Sequence, residues 1–472
     1  MSNDTFSPKD FGASFKGFLD QMAAQAPAQE SFFPRRLREH FGAEPSALAI
    51  VSEKLSDTEH PNLHLALESF VAKPGRSHEL LGITSDHAAY AGIGLAQLAA
   101  TGGGGFMGGT PPAPGPVSFR TVHLDGDEVL ACTQLGLYLV SEGEERLAIL
   151  VEGAREMFGT TLRVEVLART RAAADACLAE LRTAMRKRNV YRGHVVSLSV
   201  NDRRELTVDF HRLPDVAREH IILPSGVLDR IERQSIGFAK HAEALKGAGR
   251  HLKRGMLLHG PPGTGKTYTA MYLAGRMPDR TVLLITGRGT GLLEQACSMA
   301  RLLQPATVIL EDVDLVAEER TRRDPGCQPL LFELLNQMDG LADDADVLFV
   351  LTTNRPDILE PALAARPGRV DLAVEVPLPD AECRRRLFEL YARGLGVAVD
   401  FAPYVERTRG VSAAFIRELL RRAALYAADE GGGLEIHSRH LDGALHEMVV
   451  EGGSLTRSLL GASDEAGANR AG

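Results

Sequence analysis

The sequence lacks any recognisable pairing of its cysteines. It has 472 residues and five cysteines, and none of the five stands in a CxxC or CxxH spacing. Disulfide frameworks and zinc sites normally show such patterns, so neither is indicated. Scattered cysteines fit a reducing compartment, and we expect the protein to be cytoplasmic.

An uninterrupted apolar run is also missing. The N-terminal segment MSNDTFSPKD has neither a basic nor an apolar stretch, so a signal peptide is not expected. Residues 88–119 contain no charged side chain, but four consecutive glycines and four prolines interrupt the run. A spanning helix needs roughly 20 mostly apolar residues, so we predict no membrane insertion here.

A basic excess is absent as well. The chain has 53 Lys and Arg residues against 62 Asp and Glu residues, for a formal net charge of -9. Binding to a nucleic-acid backbone normally shows as a basic footprint. Nucleic acid is therefore not the expected main partner, although a local basic groove stays open as an alternative.

Three segments precede the part of the chain that carries motifs. Residues 1–101 are expected to be mostly helical, and residues 102–116 form a Gly/Pro-rich linker. Residues 117–213 alternate in strand-like fashion around one helical run, which indicates a small α+β domain, a candidate for binding a substrate or partner. At the other end, residues 454–472 are predicted to be a disordered tail.

A glycine-rich loop is the most informative motif. A strand-like run, GMLLH, leads into a G-x-x-x-x-G-K-[ST] loop, and a helix-compatible run follows, which is the context that this motif requires. In such loops the backbone N–H groups wrap phosphates, the lysine places a charge on the outer phosphates, and the hydroxyl can bind Mg²⁺. The loop consists of Gly260, Pro261, Pro262, Gly263, Thr264, Gly265, Lys266 and Thr267.

An apolar run that ends in acids lies downstream. In TVILEDVDLV, Glu311 and Asp312 close a strand-like segment, and Asp314 follows. Carboxylates at such a position normally face a cation or a reacting group, because burying them without partners is costly. After a phosphate loop, one acid of such a pair holds the Mg²⁺ shell and the other activates the attacking water.

From about Ile222 to Glu451 the chain resembles an AAA ATPase module of the AAA+ superfamily. The resemblance rests on segments in the family's order: GPPGTGKT, the acidic strand end, LLFELLNQMDGL, LTTNRPDILEPALAARPGRVD and TRGVSAAFIRELLRRAA. It implies an α/β fold, with a parallel αβα sheet over residues 214–380 and a helical lid over residues 381–453. It also implies ATP and Mg²⁺ as cofactors, and a homo-oligomeric ring, most often a hexamer.

The resemblance also implies roles for individual residues. Asn354 resembles the sensor that positions the lytic water, and Arg366 and Arg369 resemble arginine fingers that reach the site of the adjacent subunit. An arginine supplied in trans can raise the rate by about 10³ to 10⁵, so hydrolysis would require assembly. A plainer alternative is that both arginines form surface ion pairs.

The acid pair departs from the family's order. The family usually has Asp then Glu, whereas this chain has Glu311 then Asp312. Glu311 takes the metal-shell place and Asp312 takes the place of the base, which is then shorter by about one methylene, so turnover is slower or the roles are exchanged. A similar order occurs in the mitochondrial AAA protein that helps assemble respiratory complex III.

Two further segments depart from the pattern. The region after the second strand, LLITGRGTGLLEQACSMA, contains no aromatic residue, although threading members grip polypeptide there with an aromatic pore loop. Arg288, Leu292 and Leu293 could touch a substrate, but a strand cap and a core-packed helix are the plainer interpretation. In the lid, GVSAAF stands where GxSGAD is usual.

The sequence therefore predicts an ATP-hydrolysing enzyme that remodels or disassembles proteins or protein complexes. A built-in zinc protease is not predicted, because no H-E-x-x-H is present. One alternative is a slow nucleotide-dependent scaffold or switch that recruits partners. A third hypothesis, a DNA-associated clamp or initiator ATPase, is disfavoured by the acidic charge.

Overall fold

Two groups of secondary-structure elements make up the computed structural model of the chain. One unit lies within residues 1–123 and 129–188, and the other lies within residues 124–128 and 189–472. The structure describes residues 12, 14–17, 31–85, 92–100, 111–154, 161–200, 206–285, 292–314, 330–340, 342, 344–357, 370–431 and 433–451.

Between residues 31 and 188, the described part of the first unit contains seven strands and four helices. The strands are β1 Ala49–Leu55, β2 Arg76–Thr84, β3 Ala113–Gly115, β4 Ser118–His123, β5 Val129–Glu142, β6 Glu145–Glu152 and β7 Leu162–Ala168. The helices are α1 Phe32–Phe41, α2 His60–Val71, α3 Leu95–Ala99 and α4 Arg171–Lys187, with 3₁₀ turns at Pro45–Ala47 and Asp57–Glu59.

These strands form one antiparallel sheet. The order is β1-β7-β6-β5-β2-β3, and β4 also pairs with β5. The central strand β6 is buried along most of its length, because helices cover both faces of the sheet. Helices α2 and α4 contribute Leu67 and Leu178 to the core on one face, and α1 and α3 contribute Leu37 and Leu98 to the core on the other.

This unit corrects two expectations. The described part of region 1–101 contains two strands besides its helices, because β1 and β2 lie between the helices and join the sheet. The predicted linker 102–116 ends in strand β3, which pairs with β2, and residues 101–110 lie outside the described residues. A short strand such as AIVSEKL is signalled only by alternating apolar and polar residues. Over seven residues this signal is weak beside the helical patterns on either side.

The second unit begins with a seven-stranded sheet. Its strands are β8 Val195–Val200, β9 Leu206–His211, β10 Arg254–His259, β11 Thr281–Ile285, β12 Ala306–Leu310, β13 Val347–Thr353 and β14 Leu372–Glu375. Its helices are α5 Val227–Glu232, α6 Ala242–Gly247, α7 Lys266–Gly275, α8 Leu293–Leu302 and α9 Leu330–Asp339. A 3₁₀ turn at Arg218–His220, a π turn at Arg233–Gly237 and a short helix at Phe238–Lys240 complete this part.

The sheet order is β14-β10-β13-β12-β11-β8-β9, and every pairing is parallel except the antiparallel edge pair β8–β9. Strands β10, β12 and β13 read as continuous apolar runs because helices cover both faces. The αβα prediction is confirmed. The boundary expected near Pro214 is displaced, because β8 and β9 extend this sheet instead of belonging to an α+β domain.

A helical lid follows the sheet. Its helices are α10 Ala381–Tyr391, α11 Ala402–Arg407, α12 Ala413–Asp429 and α13 Ser438–His446, followed by a π turn at Glu447–Glu451. Strands β15 Gly396–Val397 and β16 Glu435–Ile436 pair in parallel. The lid has its own apolar core around Phe388, Phe415 and Leu441, and the predicted tail 454–472 lies outside the described residues.

Two findings concern the membrane and cysteine predictions made from the sequence. No helix in the described ranges is long and apolar enough to cross a bilayer. Cys132, Cys177, Cys297 and Cys383 are buried and are not disulfide-bonded, and burial raises the pKa of Cys132, Cys177 and Cys383 to about 12. Such thiols are poorly reactive, because the thiolate is the nucleophile.

Candidate functional site

The candidate site lies at the carboxyl ends of three adjacent strands. The phosphate loop follows β10, the acid pair follows β12, and Asn354 follows β13, which lies between the other two in the sheet. Because the three strands are parallel, their carboxyl ends meet at one edge. Segments separated by almost one hundred residues in sequence are thereby brought together.

Two glycines shape the loop. A Cβ atom at Gly260 would lie 2.3 Å from the carbonyl oxygen of Val376, so only glycine fits against the segment that follows β14. Gly265 has a φ of 99° and immediately precedes helix α7, where a side chain would be strained. The loop therefore delivers its backbone to the N-terminus of α7, the arrangement that favours phosphate binding.

Lys266 is directed into this loop. Lys266 is only 6% exposed. Its amino group donates hydrogen bonds to the carbonyl oxygens of Gly260 at 2.9 Å and Pro261 at 2.8 Å. Burial lowers the pKa of Lys266, while the carboxylates of Asp312 and Asp314 oppose that change. An anionic ligand bound at this loop would compete with these two carboxylates for the positive charge of the buried Lys266 ammonium.

Asp312 and Asn354 contact each other across the strand tips. The side-chain amide of Asn354 donates to Oδ1 of Asp312 at 3.2 Å, and the backbone N–H of Asp312 donates to the Thr352 hydroxyl at 3.0 Å. Asp312 has a φ of 47°, in the left-handed region. Among residues other than glycine, Asp and Asn tolerate this region best.

Glu311 occupies a different environment. Its Oε1 atom is buried and has no hydrogen-bond partner. Burial and the neighbouring Asp312 raise the pKa of Glu311, and the Thr267 hydroxyl partly opposes this. A carboxylate oxygen without a partner beside a hydroxyl fits Mg²⁺, which accepts oxygen ligands and takes one or two carboxylates together with substrate phosphates. No cluster of three His, Cys, Asp or Glu residues suited to a metal occurs among the described residues.

The lid contacts the phosphate loop. Ser412 caps helix α12 by accepting the backbone N–H of Phe415, and the N–H of Ala414 donates to the carbonyl oxygen of Gly263 at 3.1 Å. A Cβ atom at Gly263 would lie 2.8 Å from Oγ of Ser412. The altered GVSAAF segment therefore still brings the lid helix against the loop, with Phe415 buried in the lid core.

Some predicted residues lie outside the described part of the chain. Arg366 and Arg369, and also Arg288, are among them. Leu293 is fully buried at the start of α8, and Leu292 packs against the same core, which agrees with the plainer interpretation of that segment. The roles predicted for the two arginines stay predictions.

Sequence reasoning missed the contacts of a second group of residues in this site. Thr352, Thr353 and Asp314 are almost fully buried. Thr352 accepts the backbone N–H of Asp312, Asp314 accepts the backbone N–H of Asn354, and the Thr353 hydroxyl donates to Asp314. The two consecutive threonines before Asn354 were the available signal, because buried hydroxyls at a strand end need partners.

A phosphate loop, a buried lysine and an acidic strand tip on a parallel sheet define a P-loop nucleotide-binding protein. The family model of the ATPase family associated with various cellular activities (AAA) matches residues 256–378. Residues 256–378 therefore form an AAA ATPase domain, and the resemblance recognised from the motifs is confirmed for this segment.

Relatives among characterised proteins agree with this assignment. Proteasome-activating nucleotidase 2 of Halobacterium salinarum is 33% identical over 224 residues, covering 44% of this chain and 54% of that protein. The 26S proteasome regulatory subunit 6B homolog of Dictyostelium discoideum is 35% identical over 201 residues, 40% of this chain and 50% of that protein. The ATP-dependent zinc metalloprotease FtsH of Thermus thermophilus is 35% identical over 213 residues, 42% of this chain and 34% of that protein. The chain thus spans about half, or less, of these relatives' length.

Proposed function

We propose that the protein binds and hydrolyses ATP and uses the energy to remodel or disassemble proteins or protein complexes as a homo-oligomeric ring, most simply a hexamer. One observation carries the enzymatic part: Lys266, Asp312 and Asn354 meet at three adjacent strand tips. In this combination Lys266 provides a positive charge for phosphate, Asp312 provides a proton acceptor, and Asn354 provides a hydrogen-bond donor that orients Asp312.

The residues suggest a division of labour. The backbone of residues 260–265 and the amino group of Lys266 would hold the phosphates. Thr267 and Glu311 would hold Mg²⁺, which, when bound, neutralises charge that develops on the phosphates. Asp312 would accept the proton of the attacking water, and Asn354, which already donates to Asp312, would align the two.

Assembly completes the site in this proposal. Arg366 and Arg369 follow the sensor strand in the ARPGR segment that resembles the family's arginine fingers. An arginine that reaches the neighbouring site stabilises transition-state charge, so an isolated subunit would hydrolyse ATP slowly. The resemblance supports both this role and the ring stoichiometry.

The protein substrate is supported by the names of the relatives, which include proteasome-activating nucleotidases and proteasome regulatory subunits. The first unit, whose antiparallel sheet is covered by helices on both faces, would select the substrate. A built-in protease is not part of the proposal, although one relative is a zinc metalloprotease. The cytoplasmic location expected from the sequence is likewise a proposal.

A slow nucleotide-dependent switch is the second candidate, and Asp312 favours it. The side chain is shorter than the usual glutamate, and Asn354 already bonds its Oδ1 atom. A base that is shorter and already hydrogen-bonded would accept the proton of water more slowly. The lifetime of the ATP-bound state, in which the ring could recruit partners, would then be longer.

Steady-state hydrolysis at increasing protein concentration tests the proposal. We expect specific activity to rise with concentration, and Lys266→Ala to abolish both ATP binding and turnover. Glu311→Gln should raise the Mg²⁺ concentration needed for half-maximal rate by about tenfold or more. Tight ATP binding with almost no turnover at any concentration would favour the switch, and absence of ATP binding would contradict both candidates.

A further inference from the structure

A third carboxylate of the acidic segment has no role in the scheme above. Asp314 lies two residues after Asp312 and is only 3% exposed. A carboxylate that is almost fully buried costs free energy unless polar groups bond it. Its partners therefore indicate what it is for.

Both partners of Asp314 that concern the site lie at the end of the neighbouring strand β13. Its Oδ1 atom accepts the Thr353 hydroxyl at 2.8 Å and the backbone N–H of Asn354 at 3.3 Å. The Thr353 hydroxyl oxygen in turn accepts the backbone N–H of Arg355 at 3.0 Å. One carboxylate oxygen thus holds the turn in which Asn354 leaves the sheet.

The same turn presents Asn354 to the acid pair. The side-chain amide donates to Asp312, and the Thr352 hydroxyl accepts the backbone N–H of Asp312. Bonds therefore run in both directions between the tips of β12 and β13: Asp314 holds the backbone of Asn354, while Asn354 and Thr352 hold Asp312. Asp314 does not contact Asp312 in any of these hydrogen bonds, so its influence passes through Asn354.

We propose that Asp314 is a positioning residue for ATP hydrolysis, which fixes the orientation of Asn354 and, through it, the carboxylate of Asp312. The inference rests on the proposed ATPase function and deepens it. The property required of residue 314 is an acceptor oxygen at the correct place, because both of its bonds to the β13 tip are accepted ones. A negative charge at this position is secondary.

Replacing Asp314 separates the acceptor from the charge. Asp314→Ala removes the acceptor, and we expect kcat to fall about 10- to 100-fold while the KM for ATP changes less than about twofold. Asp314→Asn keeps an acceptor oxygen without the charge and should restore kcat to within about threefold of wild type. A role limited to stability would lower the fraction of folded enzyme, as thermal unfolding would show, and would leave the rate per folded active site unchanged.

The residue through which Asp314 acts provides a second test. If Asp314 acts through Asn354, the double variant Asp314→Ala/Asn354→Ala should be no slower than Asn354→Ala alone, because coupled effects do not add. Thr353→Val removes the hydroxyl that bonds Asp314, and Thr353→Ser retains it, so kcat should fall only in the valine variant. This pair carries the test if Asp314→Ala does not fold.

The outcomes are distinguishable. Wild-type turnover together with an unchanged kcat in both Asp314→Ala and Thr353→Val overturns the positioning role and leaves the ATPase function intact. An Asp314→Asn variant as slow as Asp314→Ala also overturns it, because charge and not the acceptor would then matter. A wild-type protein without ATP turnover overturns both.

Discussion

Asp312, the proposed proton acceptor, has an uncommon backbone conformation. Its φ of 47° favours Asp or Asn over other side chains apart from glycine. An Asp-to-Asn exchange at this position therefore removes the carboxylate charge without a large change in backbone energy. This makes the base position open to a direct test.

We expect Asp312→Asn to bind ATP as tightly as wild type and to lose at least about 100-fold in kcat, because the proton acceptor is lost while the fold is retained. Fluorescent-nucleotide titration and steady-state phosphate release check the two halves of this prediction. If Asp312→Asn hydrolyses ATP normally while Glu311→Gln does not, the two carboxylates have exchanged roles.

Gly263 provides a second residue-scale prediction. Gly263→Ala places a Cβ atom 2.8 Å from Ser412 Oγ and 2.9 Å from Ala414 Cβ, at a φ of 74°. We expect this variant to push the lid from the loop, with a loss of about 1–3 kcal/mol of stability and weaker ATP binding. Gly249→Ala is the matched control, because Gly249 has a φ of 70° and no atom within 4 Å of the new Cβ. Equal effects in the two variants would mean that only backbone strain matters.

At the scale of single elements, the start of helix α2 contains a buried histidine. The Nε2 atom of His60 bonds the carbonyl oxygen of Thr133 at 2.8 Å, and its Nδ1 atom is buried without a hydrogen-bond partner. Burial lowers the pKa of His60 from its ordinary value of 6.5, and the hydrogen bond to Thr133 and the nearby Asp57 only partly oppose this. The neutral ring is therefore the form that the fold accepts.

This pKa shift predicts a pH dependence of stability. Because the pKa is lower in the folded state, the unfolded chain binds the proton more readily, so stability is full above pH 6.5 and falls as the pH drops below it. We expect the unfolding temperature of the first unit to fall as the pH is lowered from 7.5 to 5.5. His60→Gln should make the profile between pH 7.5 and 5.5 less steep, with the remainder due to His40 and His64, whose pKa values burial also lowers. His78→Gln, at an exposed site on β2, is the control. A profile that stays steep in His60→Gln would assign the effect to other groups.

The elements also show where sequence reasoning succeeds. The phosphate loop follows β10, and Glu311 and Asp312 follow β12, as their local patterns predict, because strand, loop and helix signals are contiguous in the chain. The placement of β8 and β9 could not be predicted in this way. An alternating pattern indicates a strand, but the choice of β11 as the partner depends on contacts far away in sequence.

The contacts of Asp314 were beyond prediction for the same reason. Its partners are about 40 residues away and become neighbours only when β12 pairs with β13. The acidic segment indicated that carboxylates gather at this strand tip. Which carboxylate faces the ligand and which faces the protein depends on the local backbone turn, and the sequence pattern does not specify that turn.

At the scale of the whole molecule, the proposed ring implies that sites are shared between subunits. Lys266→Ala subunits lack a working phosphate loop, and subunits with both Arg366→Ala and Arg369→Ala lack fingers, so each variant alone should be inactive. An equal mixture should recover about a quarter of the wild-type rate, since half of the subunits keep the loop and half of their neighbours keep the fingers. Phosphate release measured against mixing ratio checks this, and a mixture as inactive as its parts would contradict fingers that act across the interface.

The extension of the ATPase sheet by β8 and β9 sets a practical rule for protein engineering. Leu198 of β8 and Phe210 of β9 belong to the apolar layer beneath α8, and Val195 pairs with Val282 of β11. A gene shortened to begin at Pro214 would delete these side chains and expose the apolar edge of the sheet that carries the candidate site. Anyone who grafts this domain onto a different recognition domain should place the splice between residues 188 and 189, so that both strands and the buried Tyr191 are retained.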